Sequence, residues 1–132
     1  MPPKRRRAFM PDFTFLLLHV KDHAASAALY HALLDIPVVE QKSDIAILPL
    51  RDGVMLGLWS RETVAPKSTG QSGASEIAFA VADAETVETM HADWKKRGVA
   101  IIQAPTQMSF GTTFVAADDD GHRLRVFAPP AA

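Results

Sequence analysis

The chain has 132 residues, 48% of them apolar, a formal net charge of −1 and no cysteine. That size fits one domain, or two small repeated units sharing one core. The near-neutral charge gives no electrostatic footprint for nucleic acid or an anionic membrane, and the lack of cysteine excludes disulfides, thiolate nucleophiles and zinc-thiolate sites together.

The basic run KRRR at 4 to 7 reads as part of a disordered, solvated tail over residues 1 to 11. No window approaches the roughly 18 to 20 apolar residues of a membrane span, and no apolar segment follows the basic run as a signal peptide requires. A cytoplasmic protein with no membrane or nucleic-acid partner is therefore expected. FTFLLLHV (13 to 20) is apolar and rich in strand formers. In the next segment, HAASAALYHALLD, the residues Ala25, Ala28, Leu29, Ala32 and Leu33 have the spacing of a one-faced helix. This predicts a helix over 23 to 35, stopped by Pro37. Short strands in VVEQK, DIAILPL and, after the turn RDG, VMLGLWS complete a first unit over 12 to 64. APKSTGQSGA (65 to 74), polar and rich in Ser and Gly, reads as a flexible linker.

The same order then begins again. EIAFAVAD predicts a strand, and AETVETMHADWKKRG a helix over 84 to 97 with Val87, Met90, His91 and Trp94 on one side and Gly98 as its stop. VAIIQAP, GTTFVAAD and, after DDG, HRLRVFAPP supply three more strands, so a second unit covers 75 to 130. Each half is βαβββ, an α+β arrangement with an internal repeat. An offset of 61 residues pairs Asp22 with Asp83, Val20 with Val81, Val38 with Val99 and Phe15 with Glu76. In the last hairpins an offset of 68 places Leu56 on Leu124, Gly57 on Arg125 and Trp59 on Phe127.

Two such units, with VKD…SAALY opening the first, EIAFAVAD opening the second and DDDGHRLRVF near the end, resemble the vicinal oxygen chelate superfamily, the glyoxalase, bleomycin-resistance and extradiol-dioxygenase group. The resemblance covers about residues 12 to 128 of a single domain over 12 to 130, and is closest in type to metal-free bleomycin-resistance-like members. It implies that each four-stranded sheet curls into a half barrel with helices outside. Two half barrels, often from different subunits, then enclose a shared cavity, and a homodimer is implied. In metal-dependent members the cavity metal is held by His, Glu or Gln on the first and last strand of each unit. Carried over residue by residue, those positions fall on Phe15, Gly57, Glu76 and Arg125.

A divalent ion needs several lone-pair donors, and of these four only Glu76 supplies one, while Arg125 adds a repelling charge. No metal or other cofactor is expected. An ion pair between Glu76 and Arg125 is expected in its place. Stepping by two along the strands from the four positions that the resemblance supplies places Phe15, Leu17 and His19, Met55, Gly57 and Trp59, Glu76, Ala78 and Ala80, and Arg123, Arg125 and Phe127 on the cavity face. Leu16, Leu18, Val20, Leu56, Leu58, Ile77, Phe79, Val81, Leu124 and Val126 then face the helices. MSFG at 108 to 111 resembles the aromatic-Gly loop at the family's cavity mouth, which adds Phe110 to the ligand-binding set. Small residues leave room between aromatic walls, a combination suited to a small, flat organic ligand around a polar anchor.

His19 reads either as an acid/base group or, more simply, as a hydrogen-bonded strand-end residue. His23, His31 and His91 have no partner at metal spacing and read as surface or packing residues. His122 and the run Asp118, Asp119, Asp120 read as a turn resembling the family's Asp-Pro-Asp-Gly, not as a calcium loop. Tyr30 matches the family's helix aromatic and is expected to pack on the sheet. The expected function is sequestration of a drug-like or metabolite-like small molecule. A lyase, isomerase or dioxygenase of the same superfamily is the alternative, with no catalytic residue assigned, and a dimeric domain without ligand is a third reading.

Overall fold

Asp22 and Asp83, paired by the offset of 61, cap equivalent helices. The Asp22 carboxylate accepts from the Ala25 N–H at 3.1 Å and the Asp83 carboxylate from the Thr86 N–H at 2.8 Å, satisfying donors that a helix start leaves open. In this computed structural model, which describes residues 11–130, each helix lies between the first and second strands of its unit. The first unit runs β1 (Phe15–Val20), α1 (His23–Leu34), β2 (Glu40–Gln41), β3 (Ile45–Arg51) and β4 (Val54–Ser60). The second runs β5 (Glu76–Ala80), α2 (Ala84–Lys96), β6 (Ala100–Met108), β7 (Gly111–Ala117) and β8 (Arg123–Ala128). The basic run and nearly all of the expected tail lie outside the described residues.

The sheets have the orders β1-β4-β3-β2 and β5-β8-β7-β6, so the repeat extends to topology. In each, the first and last strands pair in parallel, with Leu17 opposite Gly57 and Ala78 opposite Arg125. The two units differ at the strand after the helix. β2 has two residues where VVEQK suggested five, although the Val39 N–H still reaches the Ile47 carbonyl at 2.9 Å. β6 has nine residues and runs through to Met108. Pro37, which cannot donate to a ladder, stands just ahead of the short strand.

The residues assigned to the helix-facing side all join one core that spans both sheets, with Val20, Leu56, Leu58, Leu124 and Val126 fully buried. On α2, Val87 and Trp94 are buried as expected, and the Trp94 indole meets the Phe114 ring edge-on at 5.3 Å. His91 also packs on Phe114, at 5.5 Å. The expected face of α1 is corrected. Ala25, Ala28 and Ala32 are exposed, and the buried residues are Ser26, Ala27 and Tyr30. One tyrosine ring buries about 150 to 250 Å², more than a row of methyl groups offers, so Tyr30 sets the rotation of the helix.

Polar contacts fasten the units to each other. The Tyr30 hydroxyl donates to Asp118 Oδ2 at 2.9 Å, the Lys21 N–H to Asp120 Oδ1 at 2.9 Å, and Arg97 Nη1 to the Ala32 carbonyl at 2.9 Å. The His122 ring reaches the His19 carbonyl at 3.0 Å, a cross-unit role beyond that of a turn residue. Residues of the 65 to 74 segment lie along this seam, with Ser68 Oγ 2.7 Å from His19 Nδ1 and Ser72 Oγ 3.4 Å from His122 Nε2. Among the described residues no helix is long and apolar enough to cross a membrane.

Candidate functional site

Strand alternation leaves each sheet one face away from the helices, and the two faces differ chemically. On the first, Phe15 and Leu17 are 42% and 44% exposed. With Trp59 and with Ile45 and Ile47 of β3 they line a cleft of about 380 Å³, to which Lys42 and Asp44 contribute at the rim. Gly57 is covered there: a Cβ added to it would come within 2.6 Å of Leu17 Cδ2. The Trp59 indole N–H donates to Thr63 Oγ1 at 3.1 Å, which fixes its tilt. His19 meets the Trp59 ring edge-on at 6.3 Å, but its own ring hydrogen-bonds Ser68 and lines a separate cleft of about 190 Å³ beneath the linker. That geometry matches the simpler of its two readings.

The second face is polar. Arg125 grips Glu76 with both edges of its fork, Nε donating to Oε1 at 2.7 Å and Nη2 to Oε2 at 3.1 Å. Arg123 Nη1 lies 3.4 Å from the same Oε2. The remaining arm of Arg125, Nη1, donates to Thr113 Oγ1 at 3.2 Å and to Gln103 Oε1 at 3.5 Å, and the Thr113 hydroxyl in turn donates to the Val126 carbonyl at 2.9 Å. The Thr113 hydroxyl thus both accepts and donates, and both Glu76 oxygens are engaged. The Phe110 ring lies 5.7 Å from the Arg125 guanidinium carbon and packs edge-on against Phe127 at 6.0 Å. Ala78 and Ala80, opposite Arg125 and Phe127, keep the face shallow. The expected ion pair is therefore formed, although its side chains remain 18% and 28% exposed and not fully enclosed.

Hydrogen bonding from Arg125 is the main cause holding the Glu76 carboxyl below its usual range; partial burial opposes it, and the charges of Arg125 and Arg123 reinforce it. A depressed carboxyl stabilises the fold at pH above its unfolded value, about 4.3, and loses that contribution as pH falls through its folded value. Arg125→Ala should lower stability by about 1 to 2 kcal/mol at pH 7. In urea titrations the gap from the parent should narrow as the carboxylate range is entered from above; a gap that stays constant down to acid would show that the pair contributes nothing.

Alternation alone did not reveal Gln103, Thr113, Ile45 or Ile47. Ile45 and Ile47 lie opposite Trp59 and Gly57, so the β3–β4 register was the missing signal. For Gln103 the obstacle is a shift in register between Gln103 and Thr106, which breaks the two-residue period on which the face assignment rests. Among the described residues, none of the five principal clefts is lined by both faces.

The family profile described as Glyoxalase/Bleomycin resistance protein/Dioxygenase superfamily matches residues 13–126. The chain belongs to this superfamily. It is similar to a solution NMR structure of an Agrobacterium tumefaciens protein, with 43% identity, a TM-score of 0.83, and coverage of 92% of this chain and 100% of that one. A glyoxalase-related enzyme from Fulvimarina pelagi shares the fold at 18% identity and a TM-score of 0.80, covering 92% and 90% of the two chains. A lactoylglutathione lyase from Agrobacterium tumefaciens does so at 14% identity and a TM-score of 0.71, covering 91% and 95%. No curated protein matches the chain at a significant level.

Within this glyoxalase-like fold, the positions carried over from metal-dependent members hold a phenyl ring at Phe15, a glycine under Leu17, and a carboxylate engaged by two guanidiniums. Among the described residues no three His, Cys, Asp or Glu side chains converge where they could hold a metal ion.

Proposed function

We propose that this member of the superfamily binds a small organic molecule in the cytoplasm without a resident metal, at a site completed by dimerisation. The observation that carries the reading is the occupation of two of the family's ligand positions by the paired Glu76 and Arg125, with Arg123 beside them. A donor set of one carboxylate already gripped by two cations does not fit a divalent ion. It does supply a fixed polar anchor.

In a homodimer, the apolar face of one copy would close over the polar face of another. The exposure of Phe15 and Leu17 on the one face and of Phe110 on the other, all above 40% in the single chain, supports that closure, because exposed apolar surface marks an interaction site. A composite cavity would then present Trp59, Phe110 and Phe127 as walls around the arginine array, with Leu17, Met55 and Ala78 as filler and Gly57 beneath Leu17. His19, tied to Ser68 in its own cleft, stands apart from the array, so binding is better supported than acid/base chemistry.

Calorimetric titration with 2-naphthamide and 2-naphthoate in the presence of a chelator is the test. Binding should be unaffected by the chelator, and Trp59→Ala should weaken it by about 1 to 3 kcal/mol if the indole stacks on the ring. Sedimentation at micromolar concentration should show a dimer. Binding that appears only after a metal is supplied would overturn the reading.

A further inference from the structure

The polar face carries an odd charge. Glu76 is a single carboxylate, and it is already saturated: Oε1 accepts from Arg125 Nε, and Oε2 accepts from Arg125 Nη2 and Arg123 Nη1. Arg125 is spent on Glu76, Thr113 and Gln103. Arg123 touches Glu76 only by one 3.4 Å contact, its side chain is 40% exposed, and among the described residues its guanidinium has no other hydrogen-bond or ion-pair partner. One positive charge is left over. At the rim of the apolar face Lys42 is paired with Glu40 at 3.2 Å and Asp44 accepts from the Thr63 hydroxyl at 3.3 Å, so within the single chain neither partners Arg123.

We propose that this surplus selects the ligand, and that the ligand is an aromatic monocarboxylate. The inference rests on the metal-free binding reading above and names its substrate class. The carboxylate meets the free edge of Arg123, and the attached ring lies against Phe110 and Phe127 beneath the covering apolar face. When that face closes, a guanidinium without a counter-charge loses water and receives nothing in return, which is strongly unfavourable. A ligand carboxylate restores neutrality and matches the planar fork with two parallel hydrogen bonds. A neutral amide leaves the charge uncompensated, and a cationic ligand adds a second one.

Calorimetric titration of the intact protein with 2-naphthoate, 2-naphthamide and 2-naphthylmethylammonium, at fixed ionic strength with chelator, separates these cases. The parent protein should bind the carboxylate about tenfold or more tightly than the amide, and the ammonium most weakly. In Arg123→Gln that preference should vanish, with a cooperative melting transition like the parent's showing that the variant is folded; Arg123→Lys should keep part of the preference, because a point charge remains without the fork. Equal affinity for carboxylate and amide in the parent, or a preference that survives Arg123→Gln, would overturn this inference and leave the binding reading standing. Loss of amide binding in Arg123→Gln would make Arg123 a structural residue and overturn it too. If none of the three compounds binds at millimolar concentration, the binding reading itself falls.

Discussion

Asp118→Ala should remove about 3 to 5 kcal/mol of stability, the largest loss expected from a single polar side chain here. The residue is only 6% exposed, and its carboxylate accepts three hydrogen bonds: from the Asp120 N–H at 2.9 Å, the His122 N–H at 2.8 Å and the Tyr30 hydroxyl at 2.9 Å. Truncation leaves all three donors without this acceptor, and Tyr30, with no exposed surface, cannot turn to water. Burial, then the Asp118 charge and hydrogen bond, push the Tyr30 phenol upward, so it remains a donor at any pH at which the protein is studied. Tyr30→Phe should be milder, about 1 to 2 kcal/mol, because two donors still satisfy the carboxylate. Urea denaturation with an unchanged slope would measure both. A loss below about 1 kcal/mol for Asp118→Ala would mean that the turn is held by its backbone bonds alone.

Gly111→Ala should be nearly as damaging, with consequences closer to the site. Gly111 opens β7 directly after Phe110 and has φ +132°, a region that side chains rarely enter. An added Cβ would collide with the Ala128 carbonyl oxygen and lie 2.8 Å from its carbon. Both obstacles are backbone, so no rotamer relieves them. Strain and overlap together should exceed about 3 kcal/mol, lowering the melting temperature by roughly 10 °C or more. The β6–β7 turn would move, carrying Phe110 away from Arg125 and Phe127, and titration with 2-naphthoate should show weakened binding even where the protein stays folded. A melting temperature within about 2 °C of the parent would show that the turn absorbs the substitution elsewhere.

Much of this architecture could be read from periodicity. A two-residue alternation sorts Leu16, Leu18 and Val20 from Phe15, Leu17 and His19, but in so apolar a run only the family resemblance said which set faces away from the helices; Asp22 and Asp83 mark equivalent helix starts. Glu76 could be singled out because a carboxylate heading an apolar strand needs a partner, and Arg125 followed from the repeat. Where the signal was weak or non-local, the reading failed or stopped. An alanine-rich helix offers nearly equal faces, so the rotation of α1 depended on where Tyr30 could be buried. The irregular stretch of β6 hid Gln103 from any fixed period. Asp118 looked like one acid in a turn because its decisive partner, Tyr30, stands 88 positions earlier in the chain.

The leucine lying across Gly57 also restricts how this half of the molecule can change. A side chain with a donor atom at 57 must begin with a Cβ, and that carbon would meet Leu17 Cδ2 at 2.6 Å, well inside contact distance. Leu17 Cδ2 is the far end of a flexible side chain that is 44% exposed, so it can swing to another rotamer at modest cost. A side chain at 57 would therefore displace the leucine from the strand pair, and a change of polarity at this position would also be a change in the shape of the apolar cleft.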